Sequence, residues 1–340
     1  MRFALVTADP KHHIRFRIDG EAGDVTSFMQ WVHWWNGEHL SYAGVMADGL
    51  ASLAAYDVVM LSGHPGHLAD IITIGAALRD TDTVTMFWPE GAVQLVDNSI
   101  HGLHAETYLA WRACDIVSVA EADKVAYYEA FVDPTATLVR FIHVPLTPGM
   151  VTGEFWVPRH RKEPFVVVYG DNNPNHPAIA VACARQLGWP VVGVAMDAGK
   201  VRVLETIFPN VAVTPMTKLS AHAYLRLLGR SAVHVYPTEW IGTAREPLAC
   251  AVVGTPCIGS AGSHMQQACW PALAYPIYDI PGMVAAARRL LTEPAWYEVC
   301  TQRAFRAAQF YSLELTRGRF MAAVDEARIR KAVRKTMVPA

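Results

Sequence analysis

Short apolar runs alternate with helical stretches through the first 150 positions of the chain. "RFALVT", "YDVVMLSG", "TVTMFW", "DIVSVA" and "TLVRFIHVPL" read as buried strands. Between them "VTSFMQWVHWW", "ADIITIGAALRD", "ETYLAWRAC" and "EADKVAYYEAF" space their apolar residues as helices do. Strands that alternate with helices imply βαβ units and a largely parallel sheet. The pattern stops at "TPGMVTGEFWVPRHRKEP", where prolines, glycines and charges cluster, and that segment reads as a linker. It restarts with "FVVVYG", "HPAIAVACARQLG", "PVVGVAM", "VAVTP", "KLSAHAYLRLLGR", "SAVHVYP" and "TPCIGS", and a helical region runs from about Pro281 to the end.

The expectation is an α/β protein of two Rossmann-like, doubly wound domains facing a cleft. Residues 1–150 form the first and 151–164 the linker. Residues 165–318 form the second, followed by a C-terminal helix and basic tail over 319–340. In open α/β sheets, ligands bind beyond the carboxyl ends of the strands.

Composition supports this reading. Hydrophobic residues are 52% and charged residues 18% of 340 positions, enough for large cores and against global disorder. No apolar run reaches the roughly 18 residues of a membrane span. The start, "MRFALVTADP", reads as a first strand rather than a signal peptide, so a cytoplasmic protein is expected. The six cysteines sit mostly in apolar runs and read as buried thiols.

The net charge of −2 hides an asymmetry. Up to Glu163 there are 11 basic and 20 acidic residues, and afterwards 18 and 11. Much of the later excess lies in the tail "ARIRKAVRKTMVPA", which reads as a solvated helix end and also suits a polyanion.

Two segments of the second half carry candidate chemistry. In "FVVVYGDNNPNHPAIAVACARQLG", Gly170, Asn172, Asn173, Asn175 and His176 stand between a strand and a helix start. Free N–H groups and the helix dipole make such a place an anion seat. A plain N-cap at Asn175, with Pro177 in the first turn, explains the same residues. Neither a P-loop nor a GxGxxG is present. "SAVHVYPTEWIGTAREPLACAVVGTPCIGS" reads as strand, loop, helix, turn and strand, with Gly254 as the C-terminal cap and Pro256 barring continuation. Thr243, Arg245 and Glu246 then lie near the helix start. A carboxylate there suits a ribose diol and an arginine suits a diphosphate. A capping box with an incidental ion pair fits as well.

"EPLACAVVGTPCIGS" resembles the donor-site segment of GT-B glycosyltransferases, and "YPIYDIPGMVAAARRLLTEPAWYEVCTQRAFRAAQFYS" resembles their usual ending. The likeness covers about residues 165–325. It implies a nucleotide-sugar donor, UDP-linked, and no obligatory metal or cofactor. The family often carries two glutamates eight positions apart, the second five before the glycine of G-T-P. Here that position is Ala249, and Glu239 and Glu246 are seven apart, so Glu246 or Glu239 takes the missing role. The first loop of this half also lacks the usual basic residue, which leaves Arg245 to meet the diphosphate.

An inverting transfer needs a base for the acceptor hydroxyl. Glu90 in "TVTMFWPEGAVQ" directly follows a buried strand and is the catalytic candidate, although an ordinary surface-loop acid looks the same. Asp24 is explained as a helix cap. "YDVVMLSG" through "ALRDTDTVTMFWPE", followed by "CDIVSVAEADKVAYYEAF", is ordered like the matching region of bacteriophage DNA β-glucosyltransferases. That resemblance implies a hydroxymethylated pyrimidine in double-stranded DNA as acceptor, exposed by base flipping, in the host cytoplasm.

The acidic first half is a poor surface for phosphate backbones. The loop "DPKHHIRFRID", with Lys11, His12, His13 and Arg15, and the basic tail are the answers to that objection. Trp31, Trp34 and Trp35 suit stacking on a base or sugar, though helical spacing assigns at least two of them to a core. Asp80 and Asp82 form a DxD that reads as a turn, and the His64/His67 and His101/His104 pairs read as loop histidines rather than a zinc site. The alternatives are an acceptor that is a small molecule or glycan, a sugar-nucleotide epimerase, and a non-catalytic nucleotide-sugar-binding protein.

Overall fold

A computed structural model describes residues 1–8, 14–15, 30–89, 104–143, 145–146, 148–169, 176–194, 198–210, 212–216, 219, 221–238 and 245–337. The chain divides into two compact units, Met1–Pro145 with Leu313–Ala340, and Leu146–Ser312.

The first unit is built on one seven-stranded sheet. Its strands are β1 (Phe3–Thr7), β2 (Ile14–Arg15), β3 (Glu38–Ser41), β4 (Val58–Gly63), β5 (Val84–Pro89), β6 (Ile116–Val119) and β7 (Leu138–Phe141). They lie in the order β2-β3-β1-β4-β5-β6-β7, parallel throughout except for the antiparallel edge strand β2. The central strands are apolar on successive residues because both faces are covered. One face packs Val59, Leu61, Phe87 and Val117 on helices through Ile71, Ile74 and Trp111. The other packs Leu5, Met60 and Met86 against Trp31 and the C-terminal helix residues Phe320, Val324 and Ala327.

The second unit contains β8 (Val166–Tyr169), β9 (Val191–Val194), β10 (Val213–Met216), β11 (His234–Tyr236), β12 (Cys257–Ser260) and β13 (Ala274–Tyr275). They form two parallel ladders, β10-β9-β8 and β11-β12-β13. The ladders meet at β8 and β11, where Glu163 bridges Ser231 and the Ser231 hydroxyl donates to the Phe165 carbonyl at 2.7 Å. Chain order across the sheet is therefore third, second, first, fourth, fifth, sixth, the Rossmann order, with its reversal between β8 and β11.

Two expectations are corrected. The segment 151–164 is not a linker: it belongs to the second unit, where Phe155 is buried and Val157 N–H donates to the Val253 carbonyl at 3.1 Å. The tail is not a free, solvated end. A single helix, Leu313–Met337, carries it back into the first unit, where Lys331 is only 3% exposed. Its ammonium and the Arg334 guanidinium bind the Asp115 carboxylate at 3.0 and 2.7 Å, and Arg328, Arg330 and Lys335 pair with Asp57, Glu326 and Asp82. Apolar spacing at Phe320, Ala323, Val324 and Ala327 seats the helix, and the acidic unit neutralises its basic face.

The tryptophans divide as helical spacing requires. Trp31 is 1% exposed and stacks on Phe320, and Trp35 packs on Phe320 with Arg317 over its ring. All six cysteines are unpaired and buried. Among the described residues, no helix is long and apolar enough to cross a membrane.

Candidate functional site

At the reversal between β8 and β11 the second unit has a small open recess. Val167, Val168, His176, His234, Tyr236 and Glu246 line it. Crossovers leave a sheet in opposite directions at such a point, so side chains at the strand ends are left uncovered there. His176 begins the helix Pro177–Leu187, its backbone N–H donating to the Pro237 carbonyl at 2.9 Å, and its ring meets Tyr278 edge-on.

The helix Glu246–Val253 closes the recess. Arg245 is its N-cap residue, Pro247 stands in the first turn, and Gly254 ends it at φ 68°. A side chain at Gly254 fails twice, since the backbone is left-handed and a Cβ would lie 2.9 Å from Trp156. That explains the abrupt G-T-P stop in the sequence.

Glu246 occupies the first helical position, and the Tyr224 hydroxyl donates a hydrogen bond to its Oε1. Burial raises the carboxyl pKa to about 7, with the Tyr224 hydrogen bond pulling the other way. Burial likewise raises the Tyr224 hydroxyl, and the Glu246 charge adds to it. A carboxyl poised near neutrality on a recess wall, with one oxygen already engaged, has the other available to a ligand hydroxyl.

One further buried polar group lines the recess. His234 is 1% exposed, neither ring nitrogen has a hydrogen-bond partner among the described residues, and burial lowers its pKa to about 4, so the ring is neutral at pH 7. At the far end of the helix Glu246–Val253, half-buried Lys162 donates to the carbonyls of Gly229 and Val253 at 2.8 and 3.3 Å and to Thr255 Oγ1 at 2.7 Å. Its ammonium caps two helix ends, and burial lowers its pKa to about 7.

Of the residues expected from sequence, the structure brings His176 and Glu246 to one recess and sets Arg245 at the start of the helix that closes it. Gly170, Asn172, Asn173, Asn175, Thr243 and Glu239 lie outside the described residues, as do Glu90, Lys11, His12, His13, Asp24 and His101. Arg15 lies on the edge strand β2. Sequence reasoning passed over His234, Tyr224 and Lys162. A histidine inside "SAVHVYP" was the available signal for the first, whereas the other two show only through tertiary burial.

The DxD and the His64/His67 pair each have a described member with a partner. Asp82 pairs with Lys335, and His67 pairs with Asp70 at 2.8 Å while stacking on Tyr42. Among the described residues, no three His, Cys, Asp or Glu side chains are grouped to hold a metal ion.

No protein-family model matches the chain, and no curated protein matches it in sequence. Solved structures do resemble it over most or nearly all of its length. A sucrose-phosphate synthase from Thermosynechococcus elongatus is 15% identical with a TM-score of 0.69, covering 98% of this chain and 99% of its own. An alpha-glucosyltransferase in complex with UDP and a 13-mer DNA containing an HMU base is 8% identical with a TM-score of 0.64, covering 96% and 99%. A UDP-forming alpha,alpha-trehalose-phosphate synthase from Burkholderia xenovorans is 12% identical with a TM-score of 0.60, covering 84% and 79%. These neighbours are GT-B glycosyltransferases, and the chain has their fold of two Rossmann-like domains.

Proposed function

We propose that the chain is a glycosyltransferase that moves a sugar from a UDP-linked donor to an acceptor hydroxyl, in the cytoplasm and without an obligatory metal. The observation that carries this reading is the recess at the strand-order reversal, closed by a helix that starts with Arg245 and Glu246. Glu246 takes the ribose diol, Arg245 the diphosphate, and His176 with Gly170, Asn172, Asn173, Asn175 and Thr243 surrounds the donor. Likeness over most of the chain to enzymes whose names include UDP supports the same assignment.

The reaction exchanges one bond at the anomeric carbon. The acceptor oxygen bonds to it, the bond to the diphosphate oxygen breaks with its electron pair on the leaving nucleotide, and the hydroxyl proton passes to a base. A carboxylate after a strand of the first unit is suited to that task, and the sequence names Glu90.

Two acceptor readings have support. The likeness to the alpha-glucosyltransferase solved with DNA favours a hydroxymethylated pyrimidine in DNA, with Lys11, His12, His13 and Arg15 on the phosphates. Internal pairing of the basic tail favours an acceptor that is a small molecule or glycan, because the first unit holds 15 basic against 21 acidic residues.

The test is nucleotide release from a panel of nucleotide sugars, with and without DNA containing hydroxymethylpyrimidines. DNA-dependent release, with sugar on the DNA, is expected for the first reading. DNA-independent release is expected for the second. A protein that neither binds UDP nor releases a nucleotide from any donor refutes the transfer reading.

A further inference from the structure

Strand β6 ends at Val119, and the chain continues through Ala120 to Glu121. The Glu121 side chain is 5% exposed, and no hydrogen bond or ion pair among the described residues reaches its carboxylate. It precedes the short turn of helix Ala122–Lys124, yet its side chain caps nothing there. Lys124 is the nearest cation by sequence and binds Asp123 instead, at 3.1 Å. Beyond Val119 and Phe141, the last register pair of β6 and β7, each chain runs two residues to a buried acid or base, Glu121 and His143.

The Glu121 oxygens are not among the fully buried polar atoms left without a partner, so they reach solvent at the end of the strand while the rest of the side chain is buried, and a carboxylate so placed is open to a ligand. Burial raises the Glu121 pKa to about 7, the Asp123 charge adds to the rise, and Lys124 opposes it. His143 at the end of β7, and Glu90 in sequence after β5, are the titratable groups that follow the two flanking strands. Carboxyl ends of parallel strands are where open α/β sheets bind their ligands. A proton acceptor there works best with a pKa close to the working pH.

We infer that Glu121, rather than Glu90, receives the hydroxyl to which the sugar is transferred, holding it by a hydrogen bond and taking its proton as the bond to the anomeric carbon forms. This rests on the glycosyl-transfer reading above. A neutral hydroxyl suits a buried carboxylate without a cation, whereas a phosphate would be repelled. The partner at this position is therefore the hydroxyl itself, whether a sugar or a hydroxymethylpyrimidine carries it.

Water is the smallest such hydroxyl, so UDP release from saturating UDP-glucose without an acceptor probes the contact. The wild-type rate is expected to rise through about pH 7, since only the ionised carboxylate takes the proton. E121Q should be slower by about tenfold or more at pH 8, and flat with pH, with UDP affinity by calorimetry changed less than about twofold. E90Q should keep the pH dependence. Carbon-13 NMR of labelled glutamates supplies a readout independent of turnover: the resonance missing from E121Q should titrate near 7.

An E121Q protein with the wild-type rate and pH profile overturns the inference and leaves the donor reading intact. So does a Glu121 resonance titrating in the ordinary glutamate range, and so does loss of the pH dependence in E90Q alone. Failure of both proteins to bind UDP overturns the donor reading, and the inference with it. Wild-type protein that binds UDP but leaves UDP-glucose intact overturns the inference if E121Q also matches it in sugar transfer to the acceptor found in the panel.

Discussion

The two ends of strand β6 carry one carboxylate each and treat it in opposite ways. At the amino end, Asp115 accepts from Thr85 N–H and Oγ at 3.0 Å each, from Lys331 at 3.0 Å and from Arg334 at 2.7 Å. At the carboxyl end, Glu121 is as buried and has no such partner among the described residues. The first arrangement ties the C-terminal helix to the sheet, since Lys331 also donates to the carbonyls of Leu78 and Thr83. The second leaves an acid ready for something not part of the unit. A buried charge that is fully paired belongs to the architecture; one left unpaired at a strand's carboxyl end is a candidate for chemistry.

Breaking the amino end should have the largest effect. Asp115→Ala strands the Lys331 ammonium in the interior, and losing one partner of a buried pair costs about 3–5 kcal/mol. Thermal or urea unfolding of the first unit should show it. Asp115→Asn, which keeps the shape without the charge, should recover only part. Stability unchanged by Asp115→Ala would dissolve the contrast between the two ends.

The carboxyl end should respond with the opposite sign. Glu121 has a folded pKa of about 7, above the 4.5 of an unperturbed glutamate. The unfolded chain therefore releases this proton first, and the folded unit loses stability as pH climbs from about 4.5 to about 7. Glu121→Gln removes that loss, so at pH 8 the variant should be more stable by up to about 3 kcal/mol, and near pH 4 indistinguishable from wild type. Denaturant melts at the two pH values check it. A variant less stable than wild type at pH 8 would mean that Glu121 is held by partners after all.

How much of this was legible in the sequence depends on how locally each feature is determined. Val58–Gly63, Val84–Pro89 and Cys257–Ser260 announce themselves because a strand buried on both faces must be apolar at consecutive positions. The Gly254 stop is equally local. Strand Glu38–Ser41 was passed over because "EHLS" is short and polar, and only pairing with β1 makes it a strand. Residues 151–164 were misread because proline, glycine and charge dominate their composition, while Phe155 and Lys162 bury in places set by distant helices.

The candidate site divides in the same way. Arg245 and Glu246 were readable from a helix start after a strand, whereas Tyr224 meets Glu246 only through the fold. Glu121 carried the signal that singled out Glu90, a lone acid after an apolar strand. In the sequence it opens a helical segment, "EADKVAYYEAF", and burial separates the two readings.

The smallest effect sharpens the comparison from the other side. Lys335 continues the series of cations that begins with Lys331 and Arg334, and it binds Asp82 at 2.8 Å. Its partner lies on the open surface, where side-chain entropy and solvent screening offset the attraction between charges. Lys335→Ala should leave the unfolding midpoint within error of wild type at low and high salt. Asp115→Ala, whose charges are shielded from salt, should be destabilised equally at both. A Lys335→Ala variant as unstable as Asp115→Ala would show that the helix is held by its total charge rather than by the buried Asp115 contact. Glu121, set against Asp115 as the unpaired end of the strand, would then have to be judged by chemistry alone.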